Sequence, residues 1–209
     1  MRIVFFLYEG LTTLDVIGPH DVLSRLPGVE AISVSKDGGP VMADTGVLGL
    51  TATHAMADVD SCDVLVVPGG MDGTFAAAAD EEILSWIRAV TADATWITSV
   101  CTGALILGAA GLLEGKKATT HWAAIDLLET YGAEPTRERV VFDGNVVTGA
   151  GVSAGIDFAL TLAAKIAGDD MAKTLQLGIE YDPDPPFDCG SPDKAPAELI
   201  ELAGGALFS

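Results

Sequence analysis

The amino-acid sequence predicts an α/β fold in which helices sandwich a doubly wound, mostly parallel sheet. Two observations predict it. Five short apolar runs are continuous rather than alternating with polar residues, as in strands that are buried on both faces. Segments with apolar residues near helical spacing stand between these runs, and a βαβ order requires crossovers between parallel strands. The length of 209 residues suits one such domain, and we expect residues 1–209 to form it alone.

Each element follows from its local pattern. The predicted strands are residues 2–8, 29–35, 62–70, 94–100 and 145–151. The predicted helices are residues 12–26, 80–92, 102–113, 121–132 and 153–168, several of them preceded by Thr, Asp or Ser at the N-cap. Residues 41–56 carry Gly and Asp at turn spacing between alternating apolar residues, which predicts a hairpin or an excursion at the sheet edge.

The chain is strongly acidic. Thirty Asp and Glu residues against eleven Lys and Arg give a net charge of −19, which repels phosphate backbones and anionic membranes. Nucleic acid and membrane are therefore not expected partners. The apolar start is too short for a signal peptide, and no stretch is long enough to span a bilayer. We expect a cytoplasmic protein, and three cysteines without disulfide or zinc spacing agree with a reducing compartment.

Cys101 stands where a predicted strand runs directly into a predicted helix. Such a turn is a nucleophile elbow, which projects its side chain beyond the carboxyl edge of the sheet. Backbone N–H groups and the positive end of the next helix favour a thiolate there. We therefore predict that Cys101 is an activated nucleophile, whereas Cys62 fits a small buried core residue better.

Asp15 follows the first strand and falls in the first turns of its helix. Because ligands of a doubly wound sheet gather beyond the carboxyl ends of the strands, Asp15 can approach Cys101. A carboxyl beside a thiolate resists ionisation and shares or donates its proton, which makes Asp15 a candidate general acid. The alternative is a helix N-terminal Asp that accepts hydrogen bonds from backbone donors.

The sequence PGG at residues 68–70 ends another strand. Two N–H groups, from Gly70 and Thr102, are predicted to face the charge that develops beside the sulfur, as in an oxyanion hole. A plain strand-to-helix turn is the alternative. The chain contains neither of the glycine-rich motifs that bind dinucleotides or nucleotide phosphates, so no cofactor is expected.

His121 lies twenty residues after Cys101 at the start of a predicted helix. It is either the base of a Cys–His pair or a packing residue of the first turn. The other two histidines have no ligand-like companions, so we expect no metal site. The Pro- and Asp-rich arm at about residues 181–196 cannot continue a helix and needs support from a dimer mate or from the rim of the active site.

The order of strand, PGG, strand and cysteine elbow, with SVCTGALILGAAGLLEGKKATTHW (99–122) and TGAGVSAGIDFAL (148–160), resembles the ThiJ/PfpI superfamily of class I glutamine amidotransferase-like proteins. The resemblance covers nearly the whole chain. It implies a flavodoxin-like α/β sandwich, a homodimer, and a reactive elbow cysteine with an acidic neighbour from the loop after the first strand.

Within that superfamily, TTLDVIGPHDVLSRLP (12–27), CTGALILGAAGLL (101–113) and YDPDPPFDCGSP (181–192) are most similar to isocyanide hydratases. The resemblance makes Cys101 the nucleophile and Asp15 its acid partner, and Thr102 is expected to position substrate and water. It implies a small uncharged organic substrate, hydrated to an N-formamide through a thioimidate on Cys101. We expect its pocket walls to include Leu11, His121, Val152 and Tyr181.

Two other functions stay open at this point. A cofactor-free glyoxalase or deglycase would use Cys101 with His121. A stress protein that senses oxidation would use Cys101 without turnover. Threonine rather than histidine at position 102 disfavours the protease-like branch, and both length and charge disfavour direct DNA binding.

Overall fold

The computed structural model describes residues 1–207. The strands, numbered in chain order, are β1 Arg2–Phe6, β2 Glu30–Ser35, β3 Gly39–Met42, β4 Gly49–Ala52, β5 His54–Ala55, β6 Val64–Val67, β7 Trp96–Val100, β8 Lys117–Ala118, β9 Glu134–Pro135, β10 Val140–Asp143 and β11 Val146–Gly149. The helices are α1 Thr13–Leu23, α2 Asp72–Ala79, α3 Glu81–Val90, α4 Gly103–Ala109, α5 Ala154–Ala167, α6 Asp169–Gly178 and α7 Ala197–Leu207. Two 3-10 segments occupy Met56–Asp58 and Trp122–Tyr131.

Within residues 1–207, a seven-stranded sheet in the order β10-β11-β7-β6-β1-β2-β5 forms the centre of the molecule. Neighbouring strands are parallel except β10, which pairs antiparallel with β11. Helix α1 packs against α5, and α2 and α3 pack against α4. This is the predicted α/β sandwich with a mostly parallel, doubly wound sheet.

The register brings four strand ends to one edge. Val67 of β6 is opposite Ser99 of β7, and Val100 of β7 is opposite Gly149 of β11. β1 is in register with β6 through Phe5 and Val66. The residues that follow these four strands therefore meet at the carboxyl edge of the sheet, where the sequence placed the site.

Helix α3 illustrates how the sequence fixes a helix. The Asp80 side chain caps it by accepting from the backbone N–H groups of Glu82 and Ile83, at 3.0 and 3.4 Å. The acidic side chains of Glu81 and Glu82 in the first turn interact favourably with the positive end of the helix dipole and stabilise the helix. The buried side chains recur at helical spacing and face the core: Ile83, Leu84, Ile87 and Val90.

The predicted strands and four of the predicted helices are confirmed, with shorter bounds. Residues 41–56 do contain a hairpin, and β3 and β4 form a separate two-stranded sheet there. Residues 122–131 are a 3-10 segment rather than the predicted α-helix. A sequence pattern separates these two poorly because both place side chains three to four residues apart on one face. Strands β8, β9 and β10 and helices α2, α6 and α7 were not predicted.

No helix among residues 1–207 is long and apolar enough to cross a membrane.

Gly103, the first residue of α4, lies directly against the end of β6. A Cβ there would overlap the backbone carbonyl oxygens of Val67 and Pro68, which cannot move without moving the strand. We expect Gly103→Ala to lower the free energy of unfolding by about 3 kcal/mol. In the control Gly178→Ala, the new Cβ meets nothing within 4 Å, and the expected change is below about 1 kcal/mol. Urea unfolding measures both, and equal effects would contradict the close approach.

Candidate active site

Cys101 occupies the one-residue turn between β7 and Thr102, which precedes α4. Its φ is 57°, a left-handed conformation that is uncommon for a residue with a Cβ. The Cys101 N–H donates to the carbonyls of Gly149 and Ala150, at 3.1 and 3.0 Å. The Cys101 carbonyl accepts from the Thr120 hydroxyl at 2.7 Å. These hydrogen bonds hold the strained turn in place, and the elbow predicted from the sequence is present.

Asp15 lies in the first turn of α1 and is completely buried. Its Oδ2 accepts the Gly69 N–H at 2.9 Å. Its Oδ1 is buried too, and within residues 1–207 it has no hydrogen-bond partner of ordinary geometry. The Cys101 thiol lies close enough to the carboxyl to interact with it directly. The structure therefore brings together the two side chains that the sequence placed at this edge.

Burial dominates the proton affinities of this pair. It raises the pKa of Asp15 to about 7, although the Gly69 N–H and the Cys101 thiol act to lower it. It also raises the pKa of Cys101 to about 12, and the negative charge of Asp15 acts in the same direction. The expected resting thiolate is thus not favoured by the structure, because desolvation outweighs the backbone donors around the sulfur.

The backbone donors at the sulfur differ in part from the prediction. The N–H groups of Val152 and Thr102 interact with the Cys101 sulfur and lower its pKa. The Gly70 N–H instead donates to the Thr102 hydroxyl at 3.0 Å, so it is not a donor to the reacting centre. The prediction for Gly70 was wrong because adjacent N–H groups of an extended turn point in different directions. Gly69, one residue earlier, contacts the Asp15 carboxyl.

Val152, two residues before α5, adopts a positive φ of 23°. For a β-branched residue this conformation is a genuine outlier, since its Cβ crowds the backbone. The conformation accompanies the approach of the Val152 N–H to the sulfur. This donor role was not predicted, because the motif GAGVSAG (149–155) indicates where the chain turns but not how each N–H is oriented.

A cavity of about 410 Å³ lies next to Val152. It is lined by Thr119, Thr120, His121, Trp122, Ile125, Arg137, Glu138, Arg139, Ala150, Gly151, Val152, Ser153 and residues 190–193 of the Pro- and Asp-rich arm. Residues 190–193 of the arm therefore border this cavity, whereas Cys101 and Asp15 are not among its lining residues. Trp122 and Ile125 add apolar wall that the sequence analysis did not identify.

Two expected pocket residues are placed elsewhere. Leu11 is fully buried and forms β-bridges with Ala43 and Gly70, so it packs beneath the sheet edge and does not line this cavity. Tyr181 turns its hydroxyl to the Asp157 carboxylate, at 3.2 Å from each oxygen, and also does not line the cavity. Both predictions relied on chain position near the site, which does not fix the direction of a side chain.

His121 lines the cavity, but its ring is used locally. Its Nδ1 accepts the Ala123 N–H at 3.3 Å and caps the 3-10 segment. Burial lowers the pKa of His121, which favours the neutral ring. Among the hydrogen bonds of residues 1–207, none joins His121 to Cys101. The arrangement fits the packing alternative better than a Cys–His pair.

The other two cysteines differ from Cys101. Cys62 is buried and its thiol donates to the Val90 carbonyl at 3.4 Å, as expected of a core residue. Cys189 is exposed on the arm. In the part of the chain that the structure describes, no group of three His, Cys, Asp or Glu side chains is arranged to hold a metal ion.

Comparison with known proteins agrees with this geometry. The profile of the DJ-1/PfpI family matches residues 1–165. The isonitrile hydratase of Pseudomonas putida is 52% identical over 203 residues, which is 97% of this chain and 88% of that protein. Isonitrile is another name for isocyanide.

Solved structures agree as well. The crystal structure of a ThiJ/PfpI family protein from Pseudomonas syringae has a TM-score of 0.95 and 45% identity, and covers 98% of this chain and 85% of its own. Drosophila melanogaster DJ-1beta has a TM-score of 0.76 at 24% identity, covering 86% and 97%, and so supports the fold alone. The elbow, the sheet order and these matches together show that the chain belongs to the DJ-1/PfpI family.

Proposed function

We propose that this protein is an isocyanide hydratase, which adds water to an isocyanide and releases an N-formamide. The observation that carries the proposal is the completely buried Asp15 carboxyl against the Cys101 thiol at the cysteine elbow. The 52% identity to an isonitrile hydratase over nearly the whole chain supports the same activity. The enzyme is then a hydro-lyase that works through a covalent intermediate on cysteine.

The terminal carbon of an isocyanide accepts a soft nucleophile but reacts poorly with neutral water. In the first step the Asp15 carboxylate takes the thiol proton as the Cys101 sulfur bonds to this carbon. The negative charge develops on the same carbon, which then takes the proton from Asp15. The net change is addition of S–H across the carbon, and the product is a thioimidate, S–CH=N–R.

Water attacks the thioimidate carbon in the second step, with the Asp15 carboxylate as general base. One water proton goes to the nitrogen and the other returns to the sulfur as the C–S bond breaks. The released product is the N-formamide, and the enzyme regains its starting proton. Substrate plus one water equals product, so the cycle needs no cofactor or metal.

The backbone around the sulfur supports these steps. The N–H groups of Val152 and Thr102 interact with the sulfur and favour the thiolate that forms during attack and departure. The cavity beside Val152 is the proposed binding place of a small uncharged substrate, because apolar side chains of Trp122, Ile125 and Pro192 are part of its mostly polar lining. His121 borders the substrate in this arrangement and does not act on the thiol.

We also propose a domain organisation, an oligomeric state and a cellular location for the enzyme. We take residues 1–209 as one domain, because one continuous hydrophobic core runs through the described elements. A cytoplasmic homodimer fits the family and the three free cysteines. Sedimentation at equilibrium measures the dimer. The charge of −19 argues against nucleic acid as a partner.

Incubation with para-nitrophenyl isocyanide tests the activity. We expect the formamide spectrum to appear with the wild-type protein, and mass spectrometry to identify the product as substrate plus one water. Methylglyoxal serves as the control for the glyoxalase alternative. Turnover of methylglyoxal to lactate, with none for the isocyanide, would replace the proposal.

The pH dependence follows from the coupled pair. The reactive form carries one proton between Asp15 and Cys101, whichever of the two holds it. Below pH 7 the pair holds two protons, because the pKa of Asp15 is raised to about 7 and the thiol is also protonated. We expect kcat/KM to rise about tenfold per pH unit below this pKa and to level off above it. A rate that falls as the pH rises through 7 would contradict this assignment.

A further inference from the structure

Three buried hydroxyl groups form a chain that ends beside the nucleophile. The Tyr8 hydroxyl is 3.0 Å from the Thr74 hydroxyl, which is 2.8 Å from the Thr102 hydroxyl. Tyr8, Thr74 and Thr102 are 6%, 0% and 4% exposed. They come from three separate parts of the chain, after β1, in α2 and before α4. The proposed mechanism uses only the last of them.

Each of the three hydroxyl groups also forms a hydrogen bond with the Pro68–Gly70 turn. The Tyr8 hydroxyl donates to the Pro68 carbonyl at 2.9 Å. The Gly70 carbonyl lies 2.9 Å from both threonine hydroxyls, and the Gly70 N–H donates to the Thr102 hydroxyl at 3.0 Å. Each hydroxyl has one proton and more than one acceptor, so the group is fully bonded and cooperative.

The same turn contacts the acid of the proposed mechanism. Gly69, between the two anchored residues, donates its N–H to Asp15 Oδ2. A Cβ on Gly69 would lie 2.5 Å from the Thr102 hydroxyl and 3.0 Å from Asp15 Oδ2. Gly69 is therefore packed closely between these two side chains. Thr102 also places its own N–H at the sulfur. The position of the turn therefore affects both members of the reacting pair.

We propose that Thr74 and Tyr8 are positioning residues for Cys101 and Asp15, and that they act through Thr102 and the Pro68–Gly70 turn. Thr74 is the central residue, because its hydroxyl joins the other two hydroxyls and also reaches the Gly70 carbonyl. Tyr8 supports the far end of the chain. This inference rests on the proposed function, and it adds two residues that lie outside the cavity and do not contact substrate.

Thr74→Val removes the hydroxyl and keeps the shape of the side chain. The Thr102 hydroxyl and the Gly70 carbonyl each lose a partner, so the turn holds the Gly69 N–H less firmly against Asp15. We expect kcat to fall about tenfold while KM changes less than about twofold, because alignment and not binding is lost. The pH at which kcat/KM levels off should rise, since the Gly69 N–H stabilises the charged form of Asp15.

Thr74→Ser is the rescue variant, because it restores the hydroxyl without the methyl group. We expect its kcat and its pH profile to return close to the wild-type values. Thr98→Val is the matched control: Thr98 is equally buried, and its hydroxyl donates to the Leu65 carbonyl at 2.7 Å within the sheet, away from the turn. Its pH profile should equal that of the wild type.

A second measurement does not depend on isocyanide turnover. The rate of alkylation of Cys101 by iodoacetamide, followed on its own peptide by mass spectrometry, reports the proton affinity of the pair. The charge of Asp44, after β3, also raises the pKa of Asp15, and Asp44 is unchanged in the Thr74 variants. Burial raises the pKa of Tyr8, and the Thr74 hydroxyl lowers it, so in Thr74→Val the phenol holds its proton more firmly and adds no charge beside the pair. A shift of the alkylation profile in Thr74→Val supports the inference even if the wild-type protein fails to hydrate isocyanides.

Unchanged alkylation and turnover profiles in Thr74→Val would overturn the inference, and so would an equal shift in Thr98→Val. Loss of activity that Thr74→Ser does not restore would also overturn it, because that result would indicate packing by the methyl group. If Thr74→Val does not fold, Tyr8→Phe decides the matter. It removes one hydroxyl at the far end of the chain, and we expect a shift of the pH profile in the same direction with a fall in kcat of about threefold.

Discussion

Replacement of Cys101 by serine is expected to abolish the hydration of isocyanides. An alcohol is far harder to deprotonate than a thiol and is a weaker nucleophile toward the soft carbon of the substrate. We expect kcat to fall by at least about 10³-fold, as for the loss of a covalent nucleophile in other enzymes. The measurement is formation of the formamide from para-nitrophenyl isocyanide, with Cys101→Ala beside Cys101→Ser.

Cys62→Ser is the matched control for this change. Cys62 is also buried, and burial raises its pKa to about 12, as for Cys101. Its thiol donates to the Val90 carbonyl, which a serine hydroxyl can do as well. We expect full turnover in this variant. Equal loss in both variants would mean that any buried thiol-to-hydroxyl change disturbs the fold, and the nucleophile assignment would lose its support.

The covalent intermediate gives a second measurement for Cys101. Rapid acid quenching during turnover should trap an adduct whose mass equals protein plus one substrate molecule, because addition of S–H across the isocyanide carbon releases nothing. Digestion should locate the adduct on the peptide that contains Cys101. An adduct on the exposed Cys189 alone, with turnover intact in Cys101→Ser, would contradict the mechanism.

The sheet could be predicted because its strands are buried on both faces. Apart from Arg2, the residues of β1 and β6 are all apolar, and the structure buries each of them. Elements at the periphery carry weaker signals. β10 lies at the edge of the sheet and only Val141 of its residues is fully buried, and α6 buries only Ala172 and Leu175, so neither contains a long buried apolar run. Burial on both faces separates the predicted strands from the missed elements.

The sequence predicted which strand ends meet at the candidate site, but it did not predict the orientation of the backbone groups there. Asp15 and Cys101 each follow a parallel strand, so the shared edge brings them together whatever the details of the loops. The choice between Gly69 and Gly70 as a donor depends on the orientation of single peptide units in the turn. The interaction of Val152 with the sulfur accompanies an unusual φ. Neither leaves a pattern in the sequence.

The hydroxyl chain was missed for a different reason. Tyr8 and Thr74 are typical residues of a strand end and a helix, and their separation in sequence is large. Only the three-dimensional packing of α2 against α4 brings the Thr74 hydroxyl to that of Thr102. The residue types alone therefore predict buried positions for Tyr8 and Thr74, but no contact between them.

Replacement of Asp15 by asparagine should suppress turnover while it stabilises the fold. Asparagine keeps the shape and can still accept the Gly69 N–H, but it neither accepts nor donates the catalytic proton. We expect kcat to fall about 10²- to 10⁴-fold. At the same time the pKa of Cys101 should fall, because the negative charge of Asp15 contributes to its elevation. A more acidic thiol with lower turnover would show that proton transfer, rather than thiolate formation, limits the variant.

Asp44→Asn provides the matched control, since it also removes one negative charge near the site. Asp44 is exposed, and its charge raises the pKa of Asp15. The control should therefore keep its turnover and reach its full kcat/KM at a slightly lower pH than the wild type. A similar loss of turnover in both variants would assign the effect to local charge and not to the Asp15 proton.

The effect of Asp15→Asn on stability has a defined dependence on pH. Burial raises the pKa of Asp15 from 3.8 to about 7, so between these values the folded protein retains a proton that the unfolded chain has lost. Wild-type stability therefore falls as the pH rises through this range, whereas asparagine has no proton to lose. The free energies of unfolding of the two proteins should be similar near pH 4. Above pH 7 the variant should be more stable by on the order of 2–4 kcal/mol. Urea unfolding at pH 4 and pH 8 measures this difference, and a gap that does not widen with pH would contradict a buried carboxyl held at high proton affinity, on which the proposed chemistry depends.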